Sequence, residues 1–155
     1  MTGAGGVDAL LGEQTRSHEY LDFLTEKASS DRLVSAILER GFIDVYTNDH
    51  TPWNFVMGTP NGKNFDSHVI ERVADGDYTY GDPENPIPLT AASIDCTGTI
   101  AGRSVRCPTP EFLIDSHTGY TIKRTDIHDV TLLSEKFDRP LHPEQLAYLA
   151  EHPRS

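Results

Sequence analysis

GGVDALLGEQTRSHEYLD, residues Gly5 to Asp22, is the stretch on which the fold of this chain turns. Gly5 and Gly6 open an apolar segment, residues 6 to 11, that Gly12 ends, and this predicts a short helix. Two glycines at a helix start leave first-turn N–H groups uncovered by side chains. With the helix dipole, such groups suit a phosphate or another anion. The polar loop from Gln14 to Glu19 follows; its Arg16 is suited either to phosphate or to a surface ion pair. Tyr20 to Thr25 then alternates with the period of a strand, Leu21 and Phe23 facing one way and Tyr20, Asp22 and Leu24 the other. A carboxylate at Asp22 can hold the divalent metal that accompanies a bound phosphate.

Working outward, Ser29, Ser30 and Asp31 supply an N-cap, and Leu33, Val34, Ile37 and Leu38 form the stripe of a helix that Gly41 stops. An antiparallel run follows: Phe42 to Tyr46, Trp53 to Met57, and Asn64 to Ile70. The Asn61-Gly62 pair supplies the positive φ angles of a tight hairpin. Asp66 and His68, two apart on the last of these strands, share one face, and Phe65, Ser67 and Val69 the other. Residues 75 to 98 read as turns and weak strands, because Pro83, Pro86 and Pro88 prevent a long helix. Thr99-Ile100 and Ser104 to Cys107 form a small hairpin about Ala101-Gly102. Thr109 caps a helix that has Pro110 in its first position and runs to about His117, before Gly119. Thr125 caps another, Asp126 to Phe137, and a last one runs from Pro143 to about Glu151. This order predicts an α+β fold, a mixed or antiparallel sheet packed with helices.

The length of 155 residues suits one domain, 1–155, and 37% hydrophobic with 24% charged content is that of an ordinary globular chain. No apolar run approaches the roughly 20 residues of a membrane span, and the start lacks a basic then apolar leader. The expected compartment is cytoplasmic. Cys96 and Cys107 are too few and too widely spaced for a zinc pattern and are expected as free thiols. A formal charge of −11, with no lysine or arginine cluster beyond Lys123-Arg124, argues against binding a nucleic-acid backbone. An acidic surface suits cationic small molecules, and equally keeps a protein soluble.

GGVDALLGEQTRSHEYLD resembles the opening motif of the lincosamide nucleotidyltransferases and their aminoglycoside-2''-adenylyltransferase-like relatives, small members of the DNA polymerase β nucleotidyltransferase superfamily. The likeness continues through PWNFVMG (Pro52 to Gly58), NFDSH (Asn64 to His68), GTIAGRSVRC, EFLIDSHTGY and HDVTLL (His128 to Leu133). The resemblance implies a nucleotidyltransferase-like fold that uses Mg²⁺ and ATP or another nucleoside triphosphate to modify an antibiotic-like hydroxyl. It assigns phosphate to Gly5 and Gly6, metal ligation to Asp22, and the third carboxylate to Asp66, with His68 on the same polar face.

The chain departs from the family pattern at three points. Where the family carries Asp-x-Asp it has Tyr20-Leu21-Asp22, and a neutral phenol is a poor Mg²⁺ ligand. No aromatic follows the glycine pair, and the family's usual N-terminal helix has no counterpart before the motif. Loss of one carboxylate implies impaired or altered transfer. Two alternatives stand beside it: a repurposed metal-independent isomerase, cyclase or lyase using Tyr20, Asp22, Asp66 and His68 as an acid–base set, and a non-catalytic binding protein. Trp53 is suited to the core, a dimer contact or a substrate platform; His117 to capping its helix or lining the substrate cleft. Asp126, His128 and Asp129 read as a solvated helix face. A homodimer burying Val7, Leu10 and Leu11 is expected, acting on a small-molecule substrate.

Overall fold

The computed structural model describes residues 2–45 and 50–153; Tyr46, the predicted end of a strand, lies outside them. In chain order come α1 (Gly3–Leu11), β1 (Tyr20–Glu26), α2 (Lys27–Leu38), β2 (Ile43–Val45), β3 (Asn54–Gly58), β4 (Asn64–Arg72), β5 (Tyr78–Tyr80) and β6 (Ile87–Leu89). Then follow β7 (Cys96–Ile100), β8 (Arg103–Cys107), α3 (Pro110–Ser116), α4 (Arg124–Phe137) and α5 (Pro143–Glu151). The expected α+β class is what forms. The elements gather into two compact units, one of Ser17–Ala91 and the other of Thr2–Arg16 with Ala92–Ser155.

The first unit is built on a mixed sheet in which β2, β3, β4, β5 and β6 pair antiparallel in that order while β1 pairs parallel with β4. The hairpin from β3 to β4 is closed by Gly62 at φ 80°, as expected, whereas Asn61, expected to share the positive φ, does not. On one face, Phe65 meets both Phe23 and Phe42 with ring centroids 5.6 Å apart, and the buried hydroxyls of Thr25 and Ser67 bond each other at 3.0 Å. Helix α2 starts earlier than expected. Glu26 ends β1 still extended (φ −63°, ψ 134°) and the chain enters the helix at Lys27 without a loop. Ser29, Ser30 and Asp31 therefore lie inside the helix rather than before it, and Ser30 and Ser35 turn their hydroxyls back onto the carbonyls of Lys27 and Asp31.

In the second unit α1 begins at Gly3 rather than at residue 6, with Gly3 at φ 54°, a conformation that only glycine adopts without strain. Val7, Ala9 and Leu10 are buried against Cys107, Leu113, Ile114, Val130 and Leu133. This corrects the expected dimer surface: Val7 and Leu10 are enclosed in the core of their own unit, and Leu11 packs at its margin. Gly98 of β7 lets α1 approach closely, since a Cβ there would sit 2.5 Å from the Ala9 carbonyl carbon. Asp8 accepts bonds from the backbone N–H and hydroxyl of Thr15, both 3.1 Å, which closes the loop after Gly12. The buried Gln145 of α5 donates to the carbonyls of Ile114 at 2.7 Å and His117 at 3.3 Å, fixing the end of α3. No helix among the described residues is long and apolar enough to cross a membrane.

Cys96 and Cys107 face each other across the β7–β8 hairpin as free thiols. Burial pushes the Cys107 thiol up from 9.0 to about 11. Between these values the unfolded chain ionises and the folded chain does not, so stability present below pH 9 is lost as pH rises toward 11. Unfolding free energies from urea titrations at successive pH values should therefore fall more steeply for the parent than for Cys107→Ala, by on the order of 1–3 kcal/mol across the window. Equal slopes would show that this thiol does not carry the alkaline sensitivity.

Candidate metal centre

The parallel register of β1 on β4 places Asp22 directly opposite Asp66, with Tyr20 opposite Asn64 and Leu24 opposite His68. Side chains alternate along each strand, so Tyr20, Asp22, Asp66 and His68 share one face of the sheet. The antiparallel register of β3 on β4 adds Asn54, opposite His68, and Val56, opposite Asp66. A carboxylate oxygen from each aspartate and an imidazole nitrogen of His68 all lie within 4.8 Å of one another, all three residues half-buried. Among the described residues this is the one group of three or more such side chains close enough to share an ion.

Asn54 organises this group. With its NH₂ turned toward its neighbours, it donates to Asp66 Oδ1 at 2.9 Å, His68 Nδ1 at 2.9 Å and the Ser67 carbonyl at 3.2 Å. His68 Nε2 stands 3.9 Å from Asp66 Oδ2, too far for a hydrogen bond. Glu26, farther along the same face, is engaged elsewhere: the buried Tyr78 hydroxyl donates to it at 3.0 Å and accepts from Arg72 at 3.0 Å. Tyr20 is 37% exposed.

Other candidates stand apart from this group. Trp53 precedes Asn54 and lines a cleft of about 470 Å³ with Lys27, Asp31, Val69, Glu71 and Tyr80. Val69 and Glu71 have the strand parity opposite to Asp66 and His68, so Trp53 is not beside the carboxylates. His117 is buried, and its Nδ1–H donates to the Leu113 carbonyl at 2.6 Å, holding the end of its own helix. Gly6 donates its N–H to the Thr2 carbonyl at 2.9 Å, an intrahelical bond that removes it from any anion contact. Gly5, like Gly3 and Ala4, falls in the first turn, where N–H groups have no intrahelical partner. Arg16, suited to a phosphate or to a surface ion pair, is held by Asp129, its Nη2 2.6 Å from Oδ2 and its Nε 2.9 Å from Oδ1. This pair raises the guanidinium further above its ordinary range. Asp129 is in turn a correction to the solvated helix face: it is fully buried, while Asp126 caps the N–H of Lys123 at 2.7 Å and His128 is exposed.

Asn54 is the member that sequence inspection passed over. Counting seven residues in each direction from Asn61 arrives at Asn54 and His68, so the hairpin register carried the signal.

The family model of aminoglycoside-2''-adenylyltransferase matches residues 1–133. The chain belongs to that family. Two solved structures share the family fold with it. The lincomycin-bound lincosamide antibiotic adenylyltransferase LnuA is 22% identical over 86% of this chain and 83% of its own, with a TM-score of 0.74. ANT(2'')-Ia in complex with adenylyl-2''-tobramycin is 21% identical over 96% of this chain and 82% of its own, with a TM-score of 0.64. No curated protein matches the sequence. Within the family's matched span lie β1, β3 and β4, which carry the Asp22, Asp66, His68 and Asn54 side chains.

Proposed function

We propose that this member of the family transfers a nucleotidyl group from a nucleoside triphosphate to a hydroxyl of a small, antibiotic-like molecule, at a rate limited by Tyr20. What supports this is one observation: two aspartates paired across parallel strands, with an imidazole near enough to share a cation. That donor set fits a divalent ion, since two carboxylates supply charge and hard oxygen ligands. Asp22 and Asp66 would hold it, and once bound it supplies positive charge against the triphosphate oxygens.

The chain's own groups account for the rest. Asp66, oriented by Asn54, receives the proton as the acceptor oxygen bonds to the α-phosphorus and the bond to the β-phosphate oxygen breaks, releasing pyrophosphate. Val56, buried and paired with Asp66 across β3 and β4, is its apolar neighbour on the same face. Tyr20 offers no charge at the position where the family pattern has a carboxylate.

The test is thermal unfolding with ATP, with and without Mg²⁺ or Mn²⁺, followed by pyrophosphate release with lincomycin or tobramycin as acceptor. A metal-dependent rise in melting temperature that Asp22→Asn abolishes is the expected result. Stabilisation by a small metabolite, with no response to nucleotide and metal together, would instead favour metal-free acid–base chemistry by His68 and Asp66.

A further inference from the structure

The donor set at this centre is not the all-oxygen set that Mg²⁺ prefers. Mg²⁺ is held by hard oxygen ligands and keeps its waters reluctantly exchanged, whereas imidazole suits ions of borderline softness. Tyr20 shares the face but brings a neutral phenol, and Glu26 is tied to Tyr78. The side chain that joins the two aspartates within 4.8 Å is His68.

Toward Asp66 its spacing suits a shared cation rather than a direct hydrogen bond. His68 Nε2 and Asp66 Oδ2 are 3.9 Å apart, which is too long for direct bonding. An ion with ligand bonds of about 2.1 Å touches both. Asn54, 2.9 Å from His68 Nδ1, fixes the ring from behind. For Nε2 to offer its lone pair to a cation Nδ1 must hold the ring proton, so ion binding turns the Asn54 amide: its oxygen then accepts from Nδ1–H, and its NH₂ contact with Asp66 Oδ1 is given up to the ion. This is the outer-shell support that metal-bound histidines characteristically have.

We propose that His68 is the third protein ligand beside Asp22 and Asp66, so that the centre takes a first-row divalent ion that accepts mixed nitrogen and oxygen ligands, represented by Mn²⁺, in preference to Mg²⁺. The proposal rests on the metal-binding role given above to the two aspartates, and it adds to that role the identity of the third ligand and the class of ion. Asn54 acts through His68 and is a positioning residue.

The experiment uses the full chain with MnCl₂ or MgCl₂ as probe. Calorimetric titration gives the two affinities, and pulsed electron paramagnetic resonance of the Mn²⁺ protein reads nitrogen coupling to the ion directly. The expected results are histidine nitrogen coupling in the parent, its disappearance in His68→Ala, and a loss of Mn²⁺ affinity of at least about tenfold in that variant. Mg²⁺ affinity should change by less than about twofold, because Mg²⁺ draws little from an imidazole. Asn54→Ala should retain the coupling and weaken Mn²⁺ binding to a smaller extent. Mn²⁺ bound with no nitrogen coupling, and lost on Asp22→Asn, would overturn the role of His68 while leaving the aspartate site intact. Absence of binding by either ion, with or without ATP, would overturn both. Because the coupling is read in the unmutated protein, a variant that fails to fold does not leave the question open.

Discussion

Arg16→Ala is expected to lower the unfolding free energy by about 3–5 kcal/mol, measured by urea denaturation. Asp129 is fully buried on α4, and Arg16 meets it with two nitrogens at 2.6 and 2.9 Å. Removing the cation strips its partner from a carboxylate that lies on the buried side of α4 with Val130 and Leu133. The reverse change is milder, because Arg16 is 28% exposed at its side chain and can be rehydrated once Asp129 is gone. The double variant Arg16→Ala/Asp129→Leu should recover much of the loss, since a buried ion pair and a well-packed apolar pair are of similar net stability. A coupling energy near zero in that cycle would mean that the pair is solvated in solution and does not fasten α4 to the loop after α1. The same variant separates the two roles the loop arginine was suited to. An anion contact would appear as loss of the nucleotide effect at unchanged stability, and a structural tie as the opposite.

How much of this was legible in the sequence depended on the range of the interaction involved. Parity along β1 and β4 is a local property, so the pairing of Tyr20 with Asp22 and of Asp66 with His68 followed from alternation alone, while their common face comes from the parallel register of the two strands. The Asn61-Gly62 turn also announced the hairpin, and through its register it contained Asn54. Helix starts were less legible. Gly3 begins α1 in a positive-φ conformation with no side-chain cap at Thr2, and α2 grows directly out of an extended Glu26, so neither start carries the usual capping signal. Asp129 was misassigned because charge was taken as exposure. It lies four residues before Leu133, on the buried side of α4, and a charged residue at such a place calls for a buried partner. That partner is 113 residues away in sequence, and only tertiary structure supplies it. Trp53 is the converse case: one position along a strand decides the face, and the tryptophan falls on the side of α2 while its neighbour Asn54 reaches the carboxylates.

The largest functional change is expected from Tyr20→Asp, which should raise affinity for Mg²⁺ with ATP by at least tenfold, on the order of 1.4 kcal/mol or more. Tyr20 is already 37% exposed, and its neighbour on β4 is the polar Asn64, so a carboxylate there costs little in folding. It would stand two residues from Asp22 on the same face, at the distance along a strand at which two carboxylates can reach one cation. The added oxygen ligand shifts the donor set toward the hard ions, so the preference for Mn²⁺ over Mg²⁺ should shrink in the same variant. Replacement of His68 by alanine should then be tolerated in the Tyr20→Asp background and not in the parent, because a third ligand has become available from β1. Calorimetric titration of Mg²⁺ and Mn²⁺ into the parent, the two single variants and the double variant measures all of this in one cycle. Unaltered Mg²⁺ affinity in Tyr20→Asp would mean that position 20 does not face the ion, and the phenol would then cease to explain any restraint on the chemistry. A gain in affinity without a change in ion preference would keep Asp22 and Asp66 as the anchors and remove His68 from the ligand set.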